Sequence, residues 1–284
     1  MPLVNAIGML EKAQADGYAV GAFNILSEIT ARAVVKACEQ LRAPVILQTS
    51  PATVNQIGVP DLIGFLRSIA DNAAIPVAVH LDHCKDLDLC RACIDAGWSS
   101  VMIDASHHTL AENISKTKEI VQYAQGKGIS IEGELGAIGG VEDDISVSDE
   151  DAHLASVSDS VTYTKETGIS LFAPAIGTAH GLYKGEPKID FLRFEEIKSA
   201  VAMPLVIHGG TGLAPDVFKK LIKLGASKIN ISTAVKIAYL DGTKEFMSKN
   251  PDNANPLKLD AHIESCVKTM VHEHLDIFCT QDKA

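Results

Sequence analysis

No apolar run in this sequence reaches the 18 or so residues of a membrane-spanning helix, so no transmembrane segment is expected. The N-terminal stretch MPLVNAIGMLEKAQ lacks a basic region followed by an apolar core, which argues against a secretory signal and for a cytoplasmic location. Basic residues are in short supply: 25 Lys and Arg against 36 Asp and Glu leave a formal net charge of −11. Such a balance speaks against nucleic acid or an anionic membrane as partner. It leaves room for a small anionic ligand, because backbone amides and a metal can bind phosphate locally. The six cysteines, at positions 38, 84, 90, 93, 266 and 279, form no disulfide framework. Cys90 and Cys93 make a CxxC inside a helical pattern, without the second pair a zinc finger needs, and read as buried helix cysteines. Also missing is any local metal motif such as HExxH, so metal ligands could meet only through the fold.

What the chain does have is ordinary for a globular enzyme: 46% hydrophobic and 21% charged residues over 284 positions. Residues 5–15 read as an amphipathic helix. Short apolar runs then read as strands at 18–23, 44–48, 76–81, 100–103, 129–135, 170–176, 204–207 and 228–231, each followed by a helical pattern. The phrases DAGWSSVMID, TGISLFAPA and LGASKINIS repeat one theme of helix, glycine and strand. Alternating strands and helices imply a parallel sheet. Eight units of about 30 residues fit a closed (β/α)8 TIM barrel, one domain over residues 1–284, with extra helices at both termini. A doubly wound open sheet is the alternative. Residues 136–156, rich in Gly, Asp and Ser, read as a long functional or mobile loop.

The stretch Pro76–Cys84, PVAVHLDHC, is the most informative. Strict alternation would send Asp82 and His83 to opposite faces, so both can serve one site only if the strand ends or bulges between them. Polar residues recur at the other strand ends: Asn24, Ser50, Asp104, Glu134, His180, His208 and Asn230. In a barrel these ends form one face, the face on which such enzymes work. His83, His180 and His208, from the third, sixth and seventh strands, suit a borderline cation such as Zn²⁺. His107 and His108 belong to the same face, so spacing alone does not select the ligand set. His153, His262, His272 and His274 read as solvated. Glu132 and Glu134 share one face of the fifth strand. His208-Gly-Gly-Thr-Gly212 and Asn230-Ile-Ser-Thr233 each follow a strand and precede a helix. Backbone N–H groups there can hold a phosphate, a recurrent feature after strands seven and eight of such barrels.

Together these motifs resemble the class II, metal-dependent ketose-bisphosphate aldolases, and most closely their tagatose-bisphosphate branch. The likeness runs from about Val20 to Thr233, through HLDH at 80–83, EGELG-x-x-GG-x-ED at 132–143, GTAHG at 177–181, HGG at 208–210 and NISTA at 230–234. It implies a (β/α)8 barrel that cleaves a ketose 1,6-bisphosphate to dihydroxyacetone phosphate and an aldehyde such as glyceraldehyde 3-phosphate. It implies that His83, His180 and His208 hold Zn²⁺, with Glu134 as a support or an alternative metal position. Asp82 would exchange a proton with the C4 hydroxyl, and Glu142, on the loop, would transfer a proton at C3. Gly181, Gly209, Gly210, Thr211, Asn230, Ile231, Ser232 and Thr233 would hold dihydroxyacetone phosphate, with Asn24 and Ser50 as further substrate-facing candidates. A monovalent cation, Na⁺ or K⁺, often supports these enzymes. They are commonly homodimers or homotetramers, and some tagatose aldolases work with a companion subunit.

The chemistry agrees with the residues. A cation can polarise the C2 carbonyl, and a carboxylate beside a metal ligand can take the C4 hydroxyl proton. A Lys Schiff base is the other aldolase strategy, but the sixth strand has no Lys and Lys228 sits at the wrong end of the eighth. Two departures stand out. Val141 precedes Glu142 where fructose-bisphosphate aldolases tend to carry a second Glu, which favours the tagatose type. Asn255-Pro256-Leu257-Lys258 stands where relatives carry a Pro-Arg for the distal phosphate, and Lys lacks the fork of Arg. The competing readings are a fructose-1,6-bisphosphate or other ketose 1-phosphate aldolase, a non-catalytic barrel that partners an aldolase, and a zinc hydrolase without a phosphate grip.

Overall fold

The computed structural model describes residues 3–142, 145–148, 153–183 and 185–284, and for residues 141–142 and 145–147 the backbone alone. Helix α1 (Ala6–Asp16) precedes β1 (Val20–Asn24), α2 (Glu28–Gln40) and β2 (Val45–Thr49). Two helices follow, α3 (Pro51–Ile57) and α4 (Val59–Asn72), then β3 (Val77–Cys84), α5 (Leu87–Ala96) and β4 (Ser100–Ile103). Next come α6 (Leu110–Ala124), β5 (Ser130–Leu135), β6 (Gly139–Glu142), β7 (Ile145–Val147) and α7 (Val157–Thr167). The chain continues through β8 (Leu171–Pro174), β9 (Ala179–His180), α8 (Phe191–Ala200), β10 (Leu205–Ile207) and α9 (Pro215–Lys223). It ends with β11 (Ala226–Ile231), α10 (Thr233–Lys249) and α11 (Pro256–Ile277).

Eight parallel strands close in the order β1-β11-β10-β8-β5-β4-β3-β2. This is the expected (β/α)8 barrel, and the pairing of β1 with β11 is what rules out the open sheet. Parallel strands covered on both faces must be apolar on both, apart from functional positions, and β1 to β5 are buried throughout. The outward faces pack on the helices in one large cluster that includes Phe23, Leu47, Val79, Val101, Phe172 and Ile229. The inward faces begin with a second cluster. There Ala6, Met9, Leu10 and Ala13 of α1 plug the lower end of the barrel against Val20, Ala22, Ile46, Ala78, Leu171, Ala173 and Val206. Period two then carries the inward face of β3 upward from Ala78 through His80 to Asp82.

Local sequence explains where the helices start. Thr109 and Glu112 cap α6 reciprocally, Asp86 caps α5, and Pro215 opens α9 in its first turn. At the C-terminus, α11 packs against both α2 and α10. None of the described helices is long and apolar enough to cross a membrane. Cys90 and Cys93 are fully buried on α5, as their helical pattern suggested.

Two elements were not legible in the sequence. Helix α3 is short and follows directly on the second strand, with Ser50 as its N-cap. The glycine-rich stretch after β5, which read as a loop, holds β6 and β7, which join β9 in a three-stranded sheet in the order β7-β6-β9. Here β6 runs parallel to β9, with Gly140 opposite His180. A Cβ on Gly140 would stand 2.2 Å from the His180 carbonyl oxygen, so only glycine permits this approach.

Candidate active site

Asp82 and His83 reach the same site because β3 bulges. Leu81 pairs with Val101 and Cys84 with Ile103, so Asp82 and His83 together stand opposite Met102. One extra residue in a strand re-aims the side chains after it. His83 absorbs the distortion with φ at 47°, a conformation uncommon outside glycine.

Asp82 is buried and held by amides from three other strands. Asn24 Nδ2 donates to Oδ2 at 2.9 Å, Gln48 Nε2 donates to the same oxygen at 3.4 Å, and Asn230 Nδ2 donates to Oδ1 at 3.1 Å. Burial alone would raise this carboxyl. The charges of His83, His208 and Lys228 outweigh burial and hold it below the ordinary range, so Asp82 is an ionised acceptor.

His83, His180 and His208 converge above it, with one ring nitrogen from each within 4.8 Å of the others. His83 Nε2 and His208 Nδ1 stand 2.7 Å apart. Their far nitrogens are committed to carboxylates. His83 Nδ1 is 3.1 Å from Asp104 Oδ2, and His208 Nε2 is 2.8 Å from Glu132 Oε1. A carboxylate only accepts, so each ring carries a proton on its far nitrogen, which leaves the inward nitrogen as the one a cation would take. Burial pushes all three imidazoles down. Asp82, Asp104 and Glu134 reverse this at His83, which is raised well above its usual value. Glu132 and Glu134 do the same at His208. At His180 the neighbouring imidazole charges add to burial and keep the ring neutral.

Below the histidines lies a polar layer whose members the sequence showed singly, without a joint role. Lys228 is fully buried and donates to Glu132 Oε2 at 2.9 Å. Burial would raise Glu132, but Lys228 and the flanking imidazoles take it well below the ordinary carboxylate range. His80 faces the same carboxylate at 3.6 Å and meets Ser100 Oγ at 2.7 Å. Burial and the Lys228 charge push His80 down to about 3, so it is neutral. A Lys, a His and a Glu within apolar strands were the available signal for this layer.

The residues present fit a divalent cation. Three buried imidazoles, two of them with a carboxylate on the far nitrogen, face one another inside a ring of four carboxylates, Asp82, Asp104, Glu132 and Glu134. Glu134 Oε2 is buried without a hydrogen bond, although it lies 3.2 Å from His208 Nδ1. Burial, followed by Asp104, raises the Glu134 carboxyl, a cost that a bound cation would remove. His83, Asp104 and Glu134 form a second, overlapping group of convergent donors. His107 and His108 belong to neither group. Their rings lie 4.1 Å apart, His107 is exposed, and His108 faces Glu112.

A small cavity adjoins the histidines, lined by His180, Gly181, Gly209, Gly210, Thr211, Asn230, Ser232 and Thr233. Gly209 has φ at 67°, and a Cβ there would stand 2.3 Å from the Ala179 carbonyl oxygen. Tyr183 braces this turn, donating to Gly209 O at 2.7 Å and accepting from Ala179 N at 3.0 Å. The floor is the N-terminus of α10. Its N-cap Ser232 makes no capping bond, and Ser232 Oγ is buried without a partner. An orphan hydroxyl at a helix N-terminus, beside a glycine turn, is built for an anion.

The other expected residues fall around this centre. Ile231 is buried in the outer cluster, with its Cδ1 against Gly210 rather than in the cavity lining. Ser50 caps α3, and Asn24 acts on Asp82. Glu142 closes β6, two residues past the Gly140–His180 pairing, and its side chain lies outside the described residues.

Comparison with known proteins agrees with this geometry. The family model described as fructose-bisphosphate aldolase class-II matches residues 4–283. A fructose-bisphosphate aldolase of Geobacillus stearothermophilus is 39% identical over 287 residues, covering 100% of this chain and 99% of that protein. Among solved structures, the YdjI aldolase of Escherichia coli K12 superposes with a TM-score of 0.87 at 28% identity, over 99% of each chain. A putative fructose-1,6-bisphosphate aldolase of Coccidioides immitis gives a TM-score of 0.88 at 27% identity, over 97% of this chain and 96% of that one.

Proposed function

The chain belongs to the class II fructose-bisphosphate aldolase family, and on that premise we propose that it cleaves a ketose 1,6-bisphosphate of the tagatose type to dihydroxyacetone phosphate and glyceraldehyde 3-phosphate, with Zn²⁺ held by His83, His180 and His208. One observation carries the reading. His180 belongs both to the imidazole cluster and to the wall of the anion cavity. A ligand that fills both needs a coordinating oxygen and a phosphate a few atoms apart, as dihydroxyacetone phosphate has.

When bound, the cation supplies Lewis-acid polarisation of the substrate C2 carbonyl. Ser232, the α10 N-terminus and the Gly209–Gly210 turn anchor the phosphate and fix the substrate's register. Asp82, held by Asn24, Gln48 and Asn230, takes the C4 hydroxyl proton as the C3–C4 bond breaks, and returns it in condensation. The electron pair of that bond stays with C3, which then takes a proton from Glu142. The pairing of β6 with the strand that carries His180 supports this role for Glu142. Lys228, locked on Glu132 at 2.9 Å, is unavailable as a Schiff base.

Val141 beside Glu142 favours the tagatose type. The Geobacillus relative's name favours a second reading, in which fructose 1,6-bisphosphate is the substrate. Lys258 is exposed in the first turn of α11, where a point charge could meet the distal phosphate. A cleavage panel of fructose and tagatose 1,6-bisphosphates and the matching 1-phosphates, run with metal analysis, tests all of this. Faster turnover of tagatose 1,6-bisphosphate supports the proposal, faster turnover of the fructose epimer selects the second reading, and no cleavage of any member overturns both.

A further inference from the structure

Far along the chain from the barrel ligands, α10 and α11 bring three more metal-binding side chains together. We propose that Glu245, His262 and Cys266 form a second divalent-cation site, suited to Zn²⁺, that clamps α10 to α11. His262 and Cys266 lie four residues apart on α11 and so share one face. Glu245 meets them from α10, and donor atoms of all three residues lie within 4.8 Å of one another.

The spacing matches a tetrahedral ion. With Zn–S of about 2.3 Å and Zn–N and Zn–O of about 2.0–2.1 Å, tetrahedral angles give edges of about 3.5 Å for S···N and about 3.3 Å for N···O. His262 Nε2 stands 3.6 Å from Cys266 Sγ and 3.3 Å from Glu245 Oε2. Two of the three donor pairs are therefore close to the edges of a coordination sphere before any ion arrives, and the third, Cys266 to Glu245, lies within 4.8 Å.

The surroundings hold them there. The His262 ring packs 5.8 Å from Phe246. A Cβ on Gly242 would stand 3.0 Å from Cys266 Sγ, so a glycine on α10 makes room for the sulfur. Lys249 binds the other oxygen of Glu245 and orients the carboxylate. The side chains of His262 and Glu245 remain 31% and 44% exposed, which leaves an entry path and a fourth position for water. One thiolate, one imidazole and one carboxylate select a borderline ion over Mg²⁺ or Ca²⁺. Binding releases the Cys266 thiol proton to solvent. His262, which read as a solvated residue, is instead half-buried in this cluster.

The site shares no residue with the barrel centre and does not depend on the aldolase reading. The test loads the full-length protein with Zn²⁺ or Co²⁺ at saturation. Two ions per chain and a thiolate-to-cobalt charge-transfer band are expected. Cys266→Ser should lose that band and one ion. Glu245→Gln, a surface change that spares the packing, should weaken the same ion by at least the roughly 10–100-fold typical of a disturbed supporting residue. Neither change should alter sugar-phosphate cleavage, and His83→Ala should keep the band. A wild type that shows no thiolate-to-cobalt band, or a band that persists in Cys266→Ser, overturns the proposal. A protein inactive on every sugar phosphate that still shows the Cys266-dependent band would remove the aldolase reading and leave this site standing.

Discussion

Glu132 Oε1 lies 2.8 Å from His208 Nε2, which sets the proton on that nitrogen and turns Nδ1 toward the other two imidazoles. The same carboxylate takes the Lys228 ammonium at 2.9 Å, so the His208 ring is steered by a buried ion pair beneath it. Glu132→Gln keeps the shape and removes the charge. It should weaken metal binding about 10–100-fold, measured by competition with a chelator on protein whose circular dichroism is unchanged. Wild-type metal affinity in this variant would mean that the hydrogen bond does not orient the ligand.

His83→Ala, His180→Ala and His208→Ala should each abolish or severely weaken metal binding and, with it, cleavage. Chelation of the wild type should remove activity, and added Zn²⁺ should restore it. Borohydride reduction in the presence of substrate should label no lysine. Full metal content in all three variants, or a stable lysine adduct, would refute the assignment.

Asp82 adjoins the cluster without completing it, and its hydrogen bonds run to Asn24, Gln48 and Asn230. Asp82→Ala should keep the metal and lose about 10²–10⁴-fold in cleavage. It should still exchange the C3 proton of dihydroxyacetone phosphate with solvent. Glu142→Ala should show the reverse emphasis, with exchange lost most. Equal loss of both activities in both variants would show that the two roles are not divided this way.

Ser232 Oγ is buried and unpartnered at the start of α10. A hydrogen bond to a charged group contributes about 1.5–3 kcal/mol. Ser232→Ala should therefore raise KM for the phosphorylated ketose, and Ki for inorganic phosphate, by about 10–100-fold with little change in kcat. An unchanged KM would place the phosphate elsewhere.

His80 supplies a pH dependence of stability. Its pKa is pushed down to about 3 by burial and Lys228, against about 6.5 in the unfolded chain. Unfolding between those values takes up a proton, so this contribution is complete above about pH 6.5 and is lost as pH falls toward 3. The slope is at most about 1.4 kcal/mol per pH unit. In urea unfolding of metal-free protein between about pH 4 and 6, His80→Gln should reduce the wild-type slope by about one proton. Identical slopes would show that His80 is already protonated in the fold.

The sequence alone determined the repeating strand–helix unit, the polar strand ends and the turns that follow the last two barrel strands. These depend on period, capping and glycine placement, which act over a few residues, and Pro215, Thr109 and Gly209 do in the fold what their neighbours in sequence suggest. Tertiary structure decided what meets what. His83 and His208 stand 2.7 Å apart across 125 residues of chain, and no local spacing could separate them from His107 and His108. The bulge that aims Asp82 and His83 together appears only when β3 is paired with β4. The support from Lys228 through Glu132 to His208 runs from β11 through β5 to the residue after β10, because a buried charge is tolerated only where the closed barrel brings its partner to it.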